Sequence, residues 1–358
     1  MTALMDPLDR ITLALRERFE SMGYRRYTAG RFEEYRLYME NRSFITGPVI
    51  AFTEPSGRLM ALKSDVTMGI ARRSRATREI AERYYYLEDV CRAGTDGVCR
   101  SIEQLGLEYI GQMEDYALVE VLSLAADCLM ALGGDILLDV SHMGFLAGMM
   151  DALALPEASR SDWLQCVRGR NGHELLEVSI NAGVPEAMHG GLQELPNLYG
   201  DWKQTLKKAE KMAMTRDMAE ALEELERVCT ALTKVAEKQI GLDFTMAGDM
   251  GYYNGIVFRG YRRGVPEPVL SGGQYDPLMR RFGKDTGAAG FALYLDALRG
   301  VLCEEIPDDI LLLRCPEDDP AALLAYGDLL RKQGKRVRIE TGVPEGFAGE
   351  VALLPGRK

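Results

Sequence analysis

The sequence predicts an α+β fold, with strands in antiparallel pairs and helices gathered into blocks. Three observations predict it. Apolar strand patterns at 84–90 and 102–110 are joined by a short Gly-containing turn, as an antiparallel pair requires. Helical periodicity is concentrated in one long block, from about 155 to 240. No Gly-x-Gly-x-x-Gly follows a strand pattern, which argues against a doubly wound dinucleotide-binding sheet.

The elements follow in order. Asp6 suits an N-cap and Pro7 the first helical position. Leu8, Ile11, Leu15 and Phe19 give one apolar face, and Gly23 is a natural stop. Val49–Phe52 and Leu59–Leu62 read as strands around the turn Glu54-Pro55-Ser56-Gly57. Tyr84–Val90 and Ile102–Ile110 form the pair named above. Tyr116–Leu132 is helical, Ile136–Val140 a strand, and Phe145–Leu153 helical again. In the 155–240 block, Leu222, Leu225, Val228, Cys229, Leu232, Val235 and Ala236 keep three/four spacing, a packing stripe. Asn254–Tyr261 and Val269–Leu270 are strands, the second running into Ser271-Gly272-Gly273. Ala288–Leu293 is a strand leading into a helix. After Pro307 a strand, a helix opened by Asp319-Pro320 and closed by Gly334, and a strand at Val337–Ile339 form a separate small unit. The expected division is therefore 1–305, with a helical insertion at about 155–240, and 306–358.

Composition bounds the function. The 358 residues carry 43 Lys+Arg against 54 Asp+Glu, a net charge of −11. That balance argues against a nucleic-acid-binding role, and the tail after Pro307 is not a basic arm. No apolar run approaches the roughly 18 residues of a membrane helix, and residues 1–10 lack the apolar core of a secretion signal. The seven cysteines are scattered, with no Cys-x-x-Cys, and the three histidines lack metal-ligand spacing. A cytoplasmic chain with no metal and no cofactor is expected. Ser141-His142 is an adjacent pair whose side chains point oppositely along a strand, so a structural role is expected there.

Four segments, in order, resemble the catalytic domain of histidyl-tRNA synthetase. They are Leu62-Lys63-Ser64-Asp65-Val66-Thr67; Tyr84 through Cys91-Arg92 to Ile102-Glu103-Gln104-Leu105-Gly106-Leu107-Glu108; Gly251-Tyr252-Tyr253-Asn254-Gly255; and Ser271-Gly272-Gly273-Gln274-Tyr275-Asp276. The resemblance implies a class II aminoacyl-tRNA synthetase-like antiparallel sheet with flanking helices. It also implies a histidine-binding pocket made by Asp65, Thr67, Gln104, Glu108, Tyr252, Tyr253, Gly272 and Gly273. Asp65 and Gln104 suit the ligand's ammonium. Glu108 and Tyr253 suit its imidazole nitrogens. Gly272 and Gly273 let backbone approach closely.

Each residue also has a plainer reading. Asp65 and Thr67 suit the cap of the helix that follows. Glu108 suits a solvated strand edge, and Gly272-Gly273 a simple turn. Alternation puts one of the two tyrosines in the core. Arg92 is either a phosphate ligand or a leftover surface ion pair.

Departures from the synthetase pattern point away from catalysis. The synthetase's Arg before the two tyrosines is replaced near Gly248–Asp249, and Gly251 stands where an acidic residue belongs. Arg92-Ala93-Gly94 lacks the pattern's Glu, and Ala297 occupies the place of the Arg that packs on ATP. Adenylyl transfer depends on such positioned cations, each worth roughly 2–4 kcal/mol. The combination resembles the family of regulatory subunits of short-form ATP phosphoribosyltransferase in histidine biosynthesis. That resemblance implies no catalytic residues in this chain, a catalytic partner subunit, feedback sensing of L-histidine, and self-association as a dimer. The alternative reading is a histidyl-tRNA synthetase-like enzyme that activates an amino acid.

Overall fold

The computed structural model describes residues 6–45, 47–94, 97–235, 240–246, 252–302, 309–344, 347 and 349–355. It contains two compact units, one of residues 15–301 and one of residues 302–358 with the chain up to Ala14.

The chain opens with α1 (Pro7–Ser21), β1 (Arg25–Arg26), β2 (Phe32–Glu34), α2 (Tyr35–Glu40), β3 (Ala51–Thr53), β4 (Leu59–Leu62) and α3 (Thr67–Arg73). Next come β5 (Glu82–Ala93), β6 (Cys99–Gly111), α4 (Asp115–Leu132), β7 (Ile136–His142) and α5 (Met143–Ala152). The insertion holds α6 (Glu157–Arg168), α7 (Gly172–Asn181), α8 (His189–Glu194), β8 (Tyr199–Asp201), α9 (Trp202–Glu210) and α10 (Arg216–Val235). The unit then completes with β9 (Ile240–Asp243), β10 (Ile256–Arg262), β11 (Leu270–Gln274), α11 (Asp276–Arg281) and β12 (Gly287–Tyr294).

Asp6 Oδ1 accepts from Leu8 N at 2.9 Å, which opens α1 as its cap position demands. Past its end, Gly23 takes φ +84°, the left-handed stop that glycine adopts without strain.

Nine strands form one sheet in the order β1-β5-β6-β12-β11-β10-β7-β9-β8. The six from β5 to β7 pair antiparallel. The sheet is not purely antiparallel, because β1 runs parallel to β5 and β9 parallel to β7. Leu118, Leu122 and Leu129 of α4 are buried, and Leu129 lies where a Cβ on Gly260 of β10 would stand. The stripe on α10 buries Leu222, Leu225, Val228, Cys229 and Leu232, and α10 packs against α4 and α5. Ala236 of that stripe lies outside the described residues.

Three local expectations are corrected. Tyr199–Asp201, inside the block read as helical, is a strand paired with β9. Three exposed residues are too short a run to show alternation. Ser271-Gly272-Gly273 is not a turn but the body of β11, bonded on both sides. Its neighbours β10 and β12 impose the extended form on glycines that have no preference of their own. Leu293 does not lead into a helix. Residues 295–301 form successive turns, with Leu298 N bonded to Leu295 O and Val301 N to Leu298 O.

The smaller unit has β13 (Asp309–Leu313), α12 (Pro320–Lys332), β14 (Arg336–Glu340) and β15 (Glu350–Leu353). Asp319 caps α12 by accepting from Ala321 N and Ala322 N. β13 lies between β14 and β15, all parallel. Its core is Ile310, Leu312, Leu323 and Val337. β15 is a third strand, carried by a segment with little apolar alternation.

Candidate functional site

Glu108 lies at the centre of a polar cleft. The register sets it on β6 opposite Tyr84 of β5 and Gly290 of β12. It is 2% exposed, so it is no strand edge. Thr67 Oγ1 donates to Glu108 Oε1 at 2.5 Å, and the Tyr275 hydroxyl donates to Oε2 at 2.5 Å. Burial nevertheless pushes its pKa up to about 8, against the pull of the two hydroxyls. A Cβ at Gly290 would overlap Glu108 Oε2, so only glycine leaves room for this carboxylate.

Asp65 sits between β4 and α3. Its Oδ1 accepts from Met68 N at 2.6 Å, so the capping role is real. The same carboxylate lines the cleft. Burial raises its pKa, opposed by the Met68 N–H and by the Arg92 charge. Thr67, the first residue of α3, spends its hydroxyl on Glu108 and thereby positions it.

Gln104 is 3% exposed and its Nε2 has no hydrogen-bond partner. Ser64, 4% exposed, leaves its Oγ in the same condition. Both line the cleft. Native chains seldom leave buried polar atoms unpaired.

Tyr252 and Tyr253 both line the cleft or cover its floor, their ring centroids 4.6 Å apart at 70°. The alternation that would put one in the core does not apply, because β10 begins only at Ile256. Tyr252 also meets Phe44 edge-on and Tyr275 at a tilt, with ring centroids 6.0 and 5.7 Å apart. Burial raises the pKa of Tyr86, Tyr252, Tyr253 and Tyr275, so these hydroxyls stay protonated donors.

The two glycines part company. Gly272 lines the cleft, yet its missing Cβ makes room for Phe258 Cζ and Phe291 Cβ, at 2.7 and 2.5 Å from the ideal position. Gly273 lies beneath the Tyr253 ring, whose Cδ1 would be 2.8 Å from a Cβ. Both glycines therefore serve packing.

Arg92 lines the cleft, and its Nε donates to Ser64 O at 3.5 Å. Among the described residues it makes no surface ion pair. Behind it Lys63 Nζ pairs with Glu88, both side chains largely buried. Ala297 does not line the cleft. Arg299, two residues on, is exposed and pairs with Glu103 and Asp296. Gly248, Asp249 and Gly251 lie outside the described residues.

The cleft encloses about 190 Å³, below the roughly 300–1,000 Å³ of drug-sized pockets. Two carboxylates, one guanidinium, an amide and several hydroxyls suit a small zwitterion. Sequence reasoning did not assign Ser64, Tyr86, Tyr275, Gly290 or Tyr294. Tyr275 was legible within the Gly-Gly-x-Tyr-Asp segment, whereas Gly290 required the register. His142 is structural: its Nδ1 accepts from Gly144 N at 3.0 Å and its Nε2 meets Glu224 at 2.7 Å. Among the described residues no cluster of His, Cys, Asp or Glu suits a metal ion, and no helix is long and apolar enough to cross a membrane. Cys91 and Cys99 are free thiols on the β5–β6 hairpin.

This sheet and its polar cleft define a class II aminoacyl-tRNA synthetase-like domain. The model of the histidyl-tRNA synthetase family matches residues 5–298. The ATP phosphoribosyltransferase regulatory subunit of Thermus thermophilus is 34% identical over 267 residues, 73% of this chain and 71% of that protein. The chain thus belongs to the histidyl-tRNA synthetase family and, within it, to the ATP phosphoribosyltransferase regulatory subunits. Two solved structures share the fold. One, an ATP phosphoribosyltransferase regulatory subunit/histidyl-tRNA synthetase from Bacillus halodurans, has a TM-score of 0.80 at 24% identity, covering 98% of this chain and 95% of that one. The other, from the HisG:HisZ complex of ATP phosphoribosyl transferase from Thermotoga maritima, has a TM-score of 0.63 at 15% identity, covering 80% and 96%.

Proposed function

We propose that this regulatory subunit binds free L-histidine in the Glu108 cleft, performs no chemistry on it, and acts through a separate catalytic ATP phosphoribosyltransferase chain. The observation that carries the ligand reading is the pair of unpartnered polar atoms, Gln104 Nε2 and Ser64 Oγ, beside the carboxylates of Asp65 and the buried Glu108. A zwitterion supplies what they lack. Its ammonium meets Asp65 and its imidazole N–H meets Glu108; Gln104, expected at the ammonium, instead joins Arg92 at the carboxylate, because its unpartnered atom is the donor Nε2. A ligand without those groups leaves the pocket unpaired, at about 1–3 kcal/mol per group. The absence of an Arg at position 297 supports a role without adenylation. The chain's cytoplasmic setting and its self-association as a dimer belong to the same proposal. The partner reading rests on family membership and on the Thermotoga complex.

Gln104→Ala separates ligand binding from folding. Because Gln104 Nε2 has no partner in the free chain, the variant melts near the wild-type temperature. Calorimetry should show L-histidine affinity falling at least about fivefold. Unchanged affinity in Gln104→Ala would remove the assignment. Histidine-dependent exchange of pyrophosphate into ATP by the isolated chain would restore the enzyme reading. Stimulation of a catalytic phosphoribosyltransferase chain tests the partner.

A further inference from the structure

A second cavity, of about 300 Å³, opens elsewhere on the 15–301 unit. Three cations line it: Arg78 after α3, Arg280 on α11, and Lys284 in the turn before β12. The chain as a whole is acidic, with a net charge of −11, so this concentration of cations is local.

The two carboxylates of the cavity are occupied. Asp276 Oδ2 accepts from Asn254 Nδ2 at 2.9 Å and Gln274 Nε2 at 2.8 Å, and its Oδ1 accepts from Ala288 N at 3.1 Å. Asp285 pairs with Arg78 at 2.8 Å, and both side chains are exposed, so that pair is weak and exchangeable. Lys284 Nζ donates to the carbonyls of Ala71, Arg72 and Ser74. Its hydrogen bonds are therefore spent, while its charge still faces the cavity. Among the described residues nothing pairs with the Arg280 guanidinium. The wall also holds Thr286, 8% exposed, whose Oγ1 has no hydrogen-bond partner.

We propose that this cavity is an anion site for a phosphate or a small phosphomonoester, held by Arg280 and the Thr286 hydroxyl within the field of Lys284 and Arg78. A guanidinium fork matches phosphate oxygens two at a time. The buried hydroxyl supplies one further donor. Three cations suit a doubly charged tetrahedral anion better than a single carboxylate. The net negative charge of the chain opposes long-range capture of anions, so affinity has to come from these contacts.

The test uses the full chain with inorganic phosphate and pyrophosphate at constant ionic strength, read by calorimetry and melting. Saturable binding of one anion per chain is expected, with a raised melting temperature. Arg280→Gln should weaken it about tenfold. Thr286→Val removes an unpaired buried hydroxyl, so it should melt no lower than wild type while binding phosphate several-fold less well. The proposal is overturned if neither anion saturates, if both variants bind like wild type, or if binding vanishes in Arg92→Ala and persists in Arg280→Gln. The last result would put the anion in the Glu108 cleft.

Discussion

Replacing Glu108 by Gln should change how stability depends on pH. In the folded chain Glu108 is 2% exposed with its pKa pushed up to about 8, whereas 4.5 is its ordinary value. Between these limits the folded state holds a proton that the unfolded state has released. Stability from this group is therefore fully present below about pH 4.5 and is lost as pH rises through about 8. At roughly 1.4 kcal/mol per pH unit, that gap corresponds to a loss on the order of 5 kcal/mol in the free protein. Glutamine keeps the volume, accepts from one hydroxyl through its amide oxygen and donates to the other through its NH2, and has no proton to lose. Urea unfolding of both proteins from pH 5 to 9 reads the difference. Wild type should fall relative to Glu108→Gln across that range by several kcal/mol, and saturating L-histidine should shrink the gap by giving the carboxylate a partner. Parallel profiles for the two proteins would refute the reasoning, because they would mean that burial does not hold the proton on Glu108.

Gly290→Ala puts a methyl group into Glu108 Oε2. It should cost about 1–3 kcal/mol of stability and abolish measurable histidine binding, as calorimetry and melting would show. Lys63→Met strands Glu88 in a largely buried place. It should cost about 3–5 kcal/mol, with Lys63→Met/Glu88→Leu recovering much of it, as chemical unfolding would show. Asp139 has its pKa raised to about 6, first by burial and then by Asp243. The sign matches that of Glu108, so stability is lost as pH rises from about 4 through 6. Asp139→Asn should therefore gain on wild type at pH 8 and not at pH 4 in paired melting curves.

The resemblance in four segments was legible because each carries its residue types in a short window. Even so, local reading left a simple turn open for Gly272-Gly273, since glycine takes whatever conformation its neighbours impose. It also applied strand alternation to Tyr252-Tyr253, which precede the strand. The Ala297 departure was visible in the chain. That Arg299 pairs with Glu103 instead of replacing the missing cation needed the folded positions of residues 196 apart.

The chain by itself determined the helices with strong periodicity, such as α1 and α10, and much of the residue inventory of the polar cleft. These depend on spacing within a turn or two. Tertiary structure alone decided that Thr67 and Tyr275 clamp Glu108, that Gly290 makes room for it, and that Gln104 Nε2 is left unpaired. It also gathered Arg78, Arg280, Lys284 and Thr286 around one cavity. Such outcomes depend on which strand pairs with which and in what register, a relation between distant segments that no local pattern encodes.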